Sequence, residues 1–166
     1  MLVFFGSAQT GGLRGGLNFS RSITGIHLGG FVNLGHSEKF SNQFEASFSQ
    51  FGTKQTDDPD LPEKLNYFKI ASAFKFYPRK DVNVHIGPEF GIPLNSTDES
   101  NDFFRLFDFG LIVGLEGYFT KEVGVGLRYY AGLHNFGDDD SKNFNSAIQL
   151  SFIYLFKSKQ LETWGH

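Results

Sequence analysis

The sequence predicts an all-β fold, an eight-stranded antiparallel up-and-down transmembrane β-barrel, on three observations. Apolar and polar residues alternate with period two along segment after segment. The links between segments alternate between tight turns and long acidic loops. The composition, with 21 Phe and 20 Gly against one Trp and one Met, suits strands with aromatic faces and close backbone approaches. At 166 residues the chain fits one domain, long enough for a closed barrel.

The start, MLVFFGSAQ, is an apolar run followed by small residues, with Gly6 and Ala8 spaced as a signal-peptidase site requires. Residues 1–8 are therefore expected to be a signal-peptide remnant, and 9–157 the barrel. The first strands read at 11–19 and 24–34. Over 39–51, Phe40, Phe44, Ala46 and Phe48 share one parity against Ser41, Gln43, Glu45, Ser47 and Ser49. A strand at 65–77 follows. Over 82–94, Val82, Val84, Ile86, Phe90 and Ile92 stand against Asn83, His85, Gly87, Glu89 and Gly91. In 107–119, Phe107, Phe109, Leu111, Val113, Leu115 and Phe119 alternate with Asp108, Gly110, Gly114 and Glu116. In 123–134, Val123, Val125, Leu127, Tyr129 and Leu133 oppose Gly124, Gly126, Arg128, Gly132 and His134. The last strand, 144–156, carries Phe144, Ile148, Leu150, Phe152, Tyr154 and Phe156 in one phase. Residues 158–166 are expected to be a tail outside the barrel.

No helical periodicity runs longer than a turn, and no segment approaches the ~18 consecutive apolar residues of a membrane helix. The links GHSEK (35–39), PRKD (78–81) and TKE (120–122) are tight, whereas 54–64, 95–102 and 136–143 are long; only the 20–23 link is short where a long one is expected. The long loops hold Asp57, Asp58, Asp60 and Glu63, then Asp98, Glu99 and Asp102, then Asp138, Asp139 and Asp140, more than half of the 18 acidic residues. One end of the molecule is thus acidic.

Periodicity alone leaves open which parity faces inward, because a soluble barrel and a membrane barrel are inverse solutions. Side-chain size favours the membrane solution. An eight-stranded barrel has a lumen just wide enough for side chains, and the apolar parity is crowded with Phe, Leu, Ile and Val while the polar parity is rich in Gly, Ser, Ala and Asn. The polar parity also carries a balanced set of charges, Arg14, Lys69, Lys75 and Arg128 against Glu45, Glu89, Asp108 and Glu116. This balance is what a lumen needs, since an unpaired buried charge costs several kcal/mol. These eight residues are the expected structural lumen network. The hairpin around 95–102 brings Glu89 near Asp108, and Arg128 on the following strand is their expected counter-ion.

The stretches GLRGGLNFS (12–20), GIHLGGF (25–31), LNYFKIASAFKFYP (65–78), VHIGPEFGIPL (84–94), FDFGLIVGLEGYF (107–119), VGVGLRYYAGLHNF (123–136) and AIQLSFIYLFK (147–157) together resemble the small outer-membrane barrels of Bacteroidetes, the PorT-like relatives of the OmpX and OmpA barrels. Two features depart from that pattern: the short link between the first two strands, and the tail KSKQLETWGH after Phe156. The resemblance implies a bacterial outer-membrane location with both termini periplasmic. It also implies a monomeric barrel in contact with lipid, and a non-enzymatic surface, envelope or secretion-associated role exercised through the loops. The acidic loops offer a surface to a protein partner. The alternatives are a narrow channel gated by the lumen charges and a soluble lipocalin-like carrier with inward phenylalanines.

Other chemistries find little purchase. The balance of 15 Lys+Arg and 18 Asp+Glu, net -3, gives no basic field for nucleic acid. The absence of cysteine removes disulfides, thiolate metal sites and a Cys nucleophile. His27, His36, His85, His134 and His166 show no metal-ligand spacing, so no metal and no cofactor is expected, and the lumen histidines read as hydrogen-bonded filler. Ser141, His134 and Asp138 could imitate a triad at the rim, yet loops rich in Ser and Asp are usually solvated turns, and no catalytic residue is assigned. Asp57, Asp58, Asp60, Asp138, Asp139 and Asp140 are weak candidates for divalent-cation contacts, their spacing matching no EF-hand loop.

Overall fold

The computed structural model describes residues 9–20, 23–37, 39–52, 64–94, 108–133 and 146–156. Eight strands follow one another: β1 (Gln9–Ser20), β2 (Ile23–Gly35), β3 (Phe40–Gly52), β4 (Lys64–Arg79), β5 (Val82–Pro93), β6 (Asp108–Tyr118), β7 (Val123–Gly132) and β8 (Ser146–Leu155). Each pairs antiparallel with its sequence neighbours, and β8 returns to β1, so the order β1 to β8 closes into a barrel without an edge. All eight expected strands are present, with ends shifted by a few residues at most.

The ladders are staggered as closure demands. A circuit that leaves β1 at Gln9 passes Leu34, Asn42, Phe74, Ile86, Val113, Tyr129 and Ile148, and comes back to β1 at Phe19. Such a stagger tilts every strand against the barrel axis. Pairing between β4 and β5 skips Ser72 and Ala73, opposite Pro88 and Gly87, the proline having no N–H to donate, and the register shifts between Phe76 and Arg79. The links 36–39, 80–81 and 119–122 close one end, with Gln9 and Leu155 beside them; the longer connections leave from the other.

Burial follows the strand period, but inverted with respect to a water-soluble protein. On β5 it reads intermediate, then buried and exposed in strict turn, with Asn83, His85 and Glu89 inside and Val84, Ile86 and Phe90 outside. The outer wall is a continuous apolar surface. Leu28 is 63% exposed, Ile70 53%, Ile86 52% and Phe152 57%. Aliphatic side chains such as Leu28, Ile70, Ile86, Val113 and Leu127 hold the middle of this wall. Rings share it at every level, Phe40 and Phe156 by the turns, Phe44 and Phe152 in mid-strand, and Phe19 and Phe109 by the loops. Some of these rings touch: Phe40 and Phe76 have centroids 5.2 Å apart, Phe90 and Phe109 5.1 Å.

So large an exposed apolar area is untenable in water and natural in hydrocarbon. Closure completes the argument, because a sheet edge inside a bilayer would leave backbone groups unpaired. The fold is a transmembrane β-barrel. The inward-phenylalanine carrier is excluded by the same exposures: apart from Phe31, the phenylalanines of known exposure face outward. A lipid-facing wall makes a definite prediction for Ile86→Arg. It is expected to destabilise the barrel by about 2–4 kcal/mol in a bilayer, whereas the same change on a wetted face stays within about 0.5 kcal/mol. Chemical unfolding midpoints in phosphocholine vesicles distinguish the two.

Candidate functional site

The inward parity of eight strands converges on the lumen, and the residues it delivers there are polar. Arg14 on β1, Glu45 on β3, Lys69 and Lys75 on β4, Glu89 on β5, Asp108 and Glu116 on β6 and Arg128 on β7 are each no more than 5% exposed. Four potential cations thus share a confined interior with four potential anions.

Glu116 is the hub towards the turn end. One carboxylate oxygen accepts from Arg14 Nη2; the other accepts from Lys75 Nζ at 2.6 Å, Asn83 Nδ2 at 2.9 Å and the Tyr118 hydroxyl at 2.9 Å. At mid-height Arg128 forks onto Glu45, with Nη1 to Oε1 at 3.2 Å and Nη2 to Oε2 at 3.0 Å. Bidentate geometry of this kind is what a planar guanidinium offers and an ammonium cannot. Glu45 also accepts from Gln43 Nε2 at 2.7 Å and lies 3.7 Å from Arg14 Nε, which ties the two groups together. Towards the loop end Lys69 donates to Glu89 at 2.7 Å and stands 3.9 Å over the Tyr130 ring, a cation–π contact.

The expected pairing of Arg128 with both Glu89 and Asp108 is corrected in part. Arg128 Nη1 comes only within 4.0 Å of Glu89, whose short contact is with Lys69 at 2.7 Å. Strand register explains the difference: Gly110 faces Glu89 across the β5–β6 ladder, while Asp108 faces Gly91, one inward position nearer the loops.

Two histidines are knit into the same interior. His27 Nδ1 lies 2.8 Å from Asn18 Oδ1 and Nε2 lies 2.9 Å from Ser151 Oγ. Because Asn18 Nδ2 already faces Ser49 Oγ and two carbonyls, its oxygen must accept, which puts the His27 proton on Nδ1. His85 Nε2 accepts from Arg128 Nε at 3.2 Å.

Sequence reasoning missed the inward aromatics. Phe31 is 4% exposed, with the Arg14 guanidinium 5.6 Å and the Lys75 ammonium 5.5 Å from its ring centroid. The signal was available in its register partner: a Cβ on Gly12 would lie 2.5 Å from the Phe31 ring, so glycine on β1 vacates the space the ring fills. The rim triad of Ser141, His134 and Asp138, and the loop residues Asp57, Asp58, Asp60, Asp139 and Asp140, lie outside the described residues, as do 1–8 and 158–166.

A closed barrel with a hydrocarbon-facing wall defines a class of small membrane barrels, and structural comparison returns barrels of this fold. Ail of Yersinia pestis in a phospholipid bilayer nanodisc superposes with a TM-score of 0.58 at 12% identity, over 89% of this chain and 99% of that one. OprG from Pseudomonas aeruginosa, an outer membrane protein, gives 0.54 at 14% identity, over 92% and 98%. The N-terminal barrel domain of Pseudomonas aeruginosa OprF gives 0.54 at 12% identity, over 92% and 100%. At such identities the likeness is one of fold. No family model matches the chain, and no curated protein matches it in sequence.

Proposed function

We propose that the chain is a non-enzymatic, monomeric barrel of the bacterial outer membrane, with its turns and termini on the periplasmic side and its longer connections outside. It acts as a surface, envelope or secretion-associated protein by presenting those connections to a partner. The observation that carries this reading is the inside-out partition of the wall: apolar outside, ion-paired inside, closed without an edge. An interior filled by paired charges favours a scaffold over a general pore. Function then falls to what the scaffold displays, and 54–64, 95–102 and 136–143 are where the acidic residues concentrate. The likeness to outer-membrane barrels of Yersinia and Pseudomonas supports the location. The sequence resemblance to PorT-like barrels of Bacteroidetes supports the secretion-associated variant of the role.

Two measurements test the proposal. Detergent-refolded protein is expected to migrate differently on gels before and after boiling, and to be insoluble without detergent. Protease added to intact cells producing the protein is expected to cut within the acidic connections and spare the tight turns. Cleavage confined to the turns would invert the orientation. Monodisperse protein without detergent would refute the membrane reading altogether.

A further inference from the structure

Among the described residues, the turn end of the barrel is open. Below the hub at Glu116 the lumen opens into a vestibule of about 720 Å³, within the range of small-molecule sites. Its wall is built of hydroxyls, an amide and aromatic faces: Thr10, Asn33, Ser41, Tyr77, Tyr118 and Thr120. We propose that this vestibule binds a neutral saccharide of one or two rings.

Asn33 is 7% exposed and lines the cavity, and its Oδ1 is buried without a hydrogen-bond partner among the described residues. A buried acceptor of this kind calls for a donor, and a ligand hydroxyl entering the cavity can supply one. The neighbouring groups offer complementary valences. Ser41 Oγ donates to the Tyr77 hydroxyl at 3.3 Å, which leaves the Tyr77 proton to give. Tyr118 spends its proton on Glu116 at 2.9 Å and keeps its oxygen lone pairs to accept. Donors and acceptors thus share one space with tyrosine side chains. A polyol matches this: each hydroxyl both donates and accepts, and the C–H face of a sugar ring packs on an aromatic.

Other ligand classes fit less well. Asp81 is the one lining carboxylate among the described residues, with Arg79 at 3.2 Å, so a divalent cation meets no set of anionic oxygens from them. Lys80 and Lys121 contribute positive charge, but an anion would oppose the lone pair of Asn33 Oδ1. An extended peptide finds no strand edge to join, because the ladder is closed. The ligand class rests on the lining chemistry and not on which compartment the turns face, so the orientation proposed above can fail independently.

The test uses the full chain in phospholipid nanodiscs free of sugar-headed detergent, titrated with cellobiose and N,N′-diacetylchitobiose and followed by NMR. Saturable shifts are expected at the amides of Gly35, Ser41 and Thr120. Asn33→Leu should weaken binding about tenfold, the loss of one good hydrogen bond. Thr10→Trp, across the β1–β2 ladder from Asn33 and outside the charged network, should block the cavity and abolish the shifts while preserving the heat-dependent gel mobility. That second variant carries the test should Asn33→Leu fail to fold. The proposal is overturned by shifts that survive Thr10→Trp, by the absence of saturable shifts with either disaccharide, or by shifts with Ca²⁺ or inorganic phosphate alone.

Discussion

Glu116→Gln is expected to lower the stability of the folded barrel by about 3–5 kcal/mol, because it breaks a buried ion cluster from one side only. The carboxylate accepts from Arg14, Lys75, Asn83 and Tyr118 at once, and it is fully buried. Glutamine keeps the volume but replaces one acceptor oxygen by an N–H₂ that faces donors. Arg14 retains Glu45 at 3.7 Å; the Lys75 ammonium, fully buried, loses the carboxylate it contacts at 2.6 Å. An uncompensated charge in a water-poor interior is the larger part of the expected loss, rather than any large net gain from the original pair. A second variant separates these contributions. Adding Lys75→Met to Glu116→Gln removes the stranded cation, and the double variant should recover about 1–3 kcal/mol of the loss, a coupling typical of contacting residues. Guanidinium unfolding in vesicles, read by the heat-dependent gel shift, measures all three proteins. Equal midpoints for the single and double variants would mean that Lys75 is not charged in the folded barrel.

That experiment also marks how far the sequence can be read. The eight strands were legible because a period of two survives any detail of packing: each one-residue step changes face, so Val84, Ile86 and Phe90 declare one face and Asn83, His85 and Glu89 the other. Inversion was legible from size, since the interior of eight strands cannot hold the phenylalanines of β3, β4 and β5 together. The membership of the interior network followed from parity. Its pairings did not. A salt bridge across a barrel joins strands far apart in sequence, and which rows meet depends on the stagger that brings the circuit from Gln9 back to Phe19. One inward position therefore separates Asp108 from the level of Glu89 and brings Lys69 to Glu89 instead. Phe31 escaped notice for a related reason: an inward ring is permitted only where a neighbouring strand has given up its side chain, as Gly12 does, and adjacency of that kind is a property of register.

Gly16→Ala is expected to be among the most damaging small substitutions in the barrel, beside Gly87→Ala on β5, costing about 3 kcal/mol or more and sharply lowering refolding yield, at the upper end of overpacking effects. Gly16 faces Ser151 across the β1–β8 ladder, the seam that joins the first strand to the last. A Cβ built on it would lie 1.9 Å from the Leu150 carbonyl oxygen and 2.9 Å from Ser151 Cα, both backbone atoms of β8. No rotamer change relieves a collision with backbone, so β8 must move away. The seam it would open is the one place where the sheet depends on its most distant partner. In hydrocarbon each backbone pair lost there leaves groups that water cannot satisfy, which makes partial opening more costly than in a soluble sheet. Gly117 provides the control, since a Cβ there meets nothing within 4 Å. Gly117→Ala should stay within about 0.5 kcal/mol of the parent. If both alanine variants refold with the parent's yield and midpoint, the seam has slack, and the close approach of β1 to β8 is not what sets the curvature of the barrel.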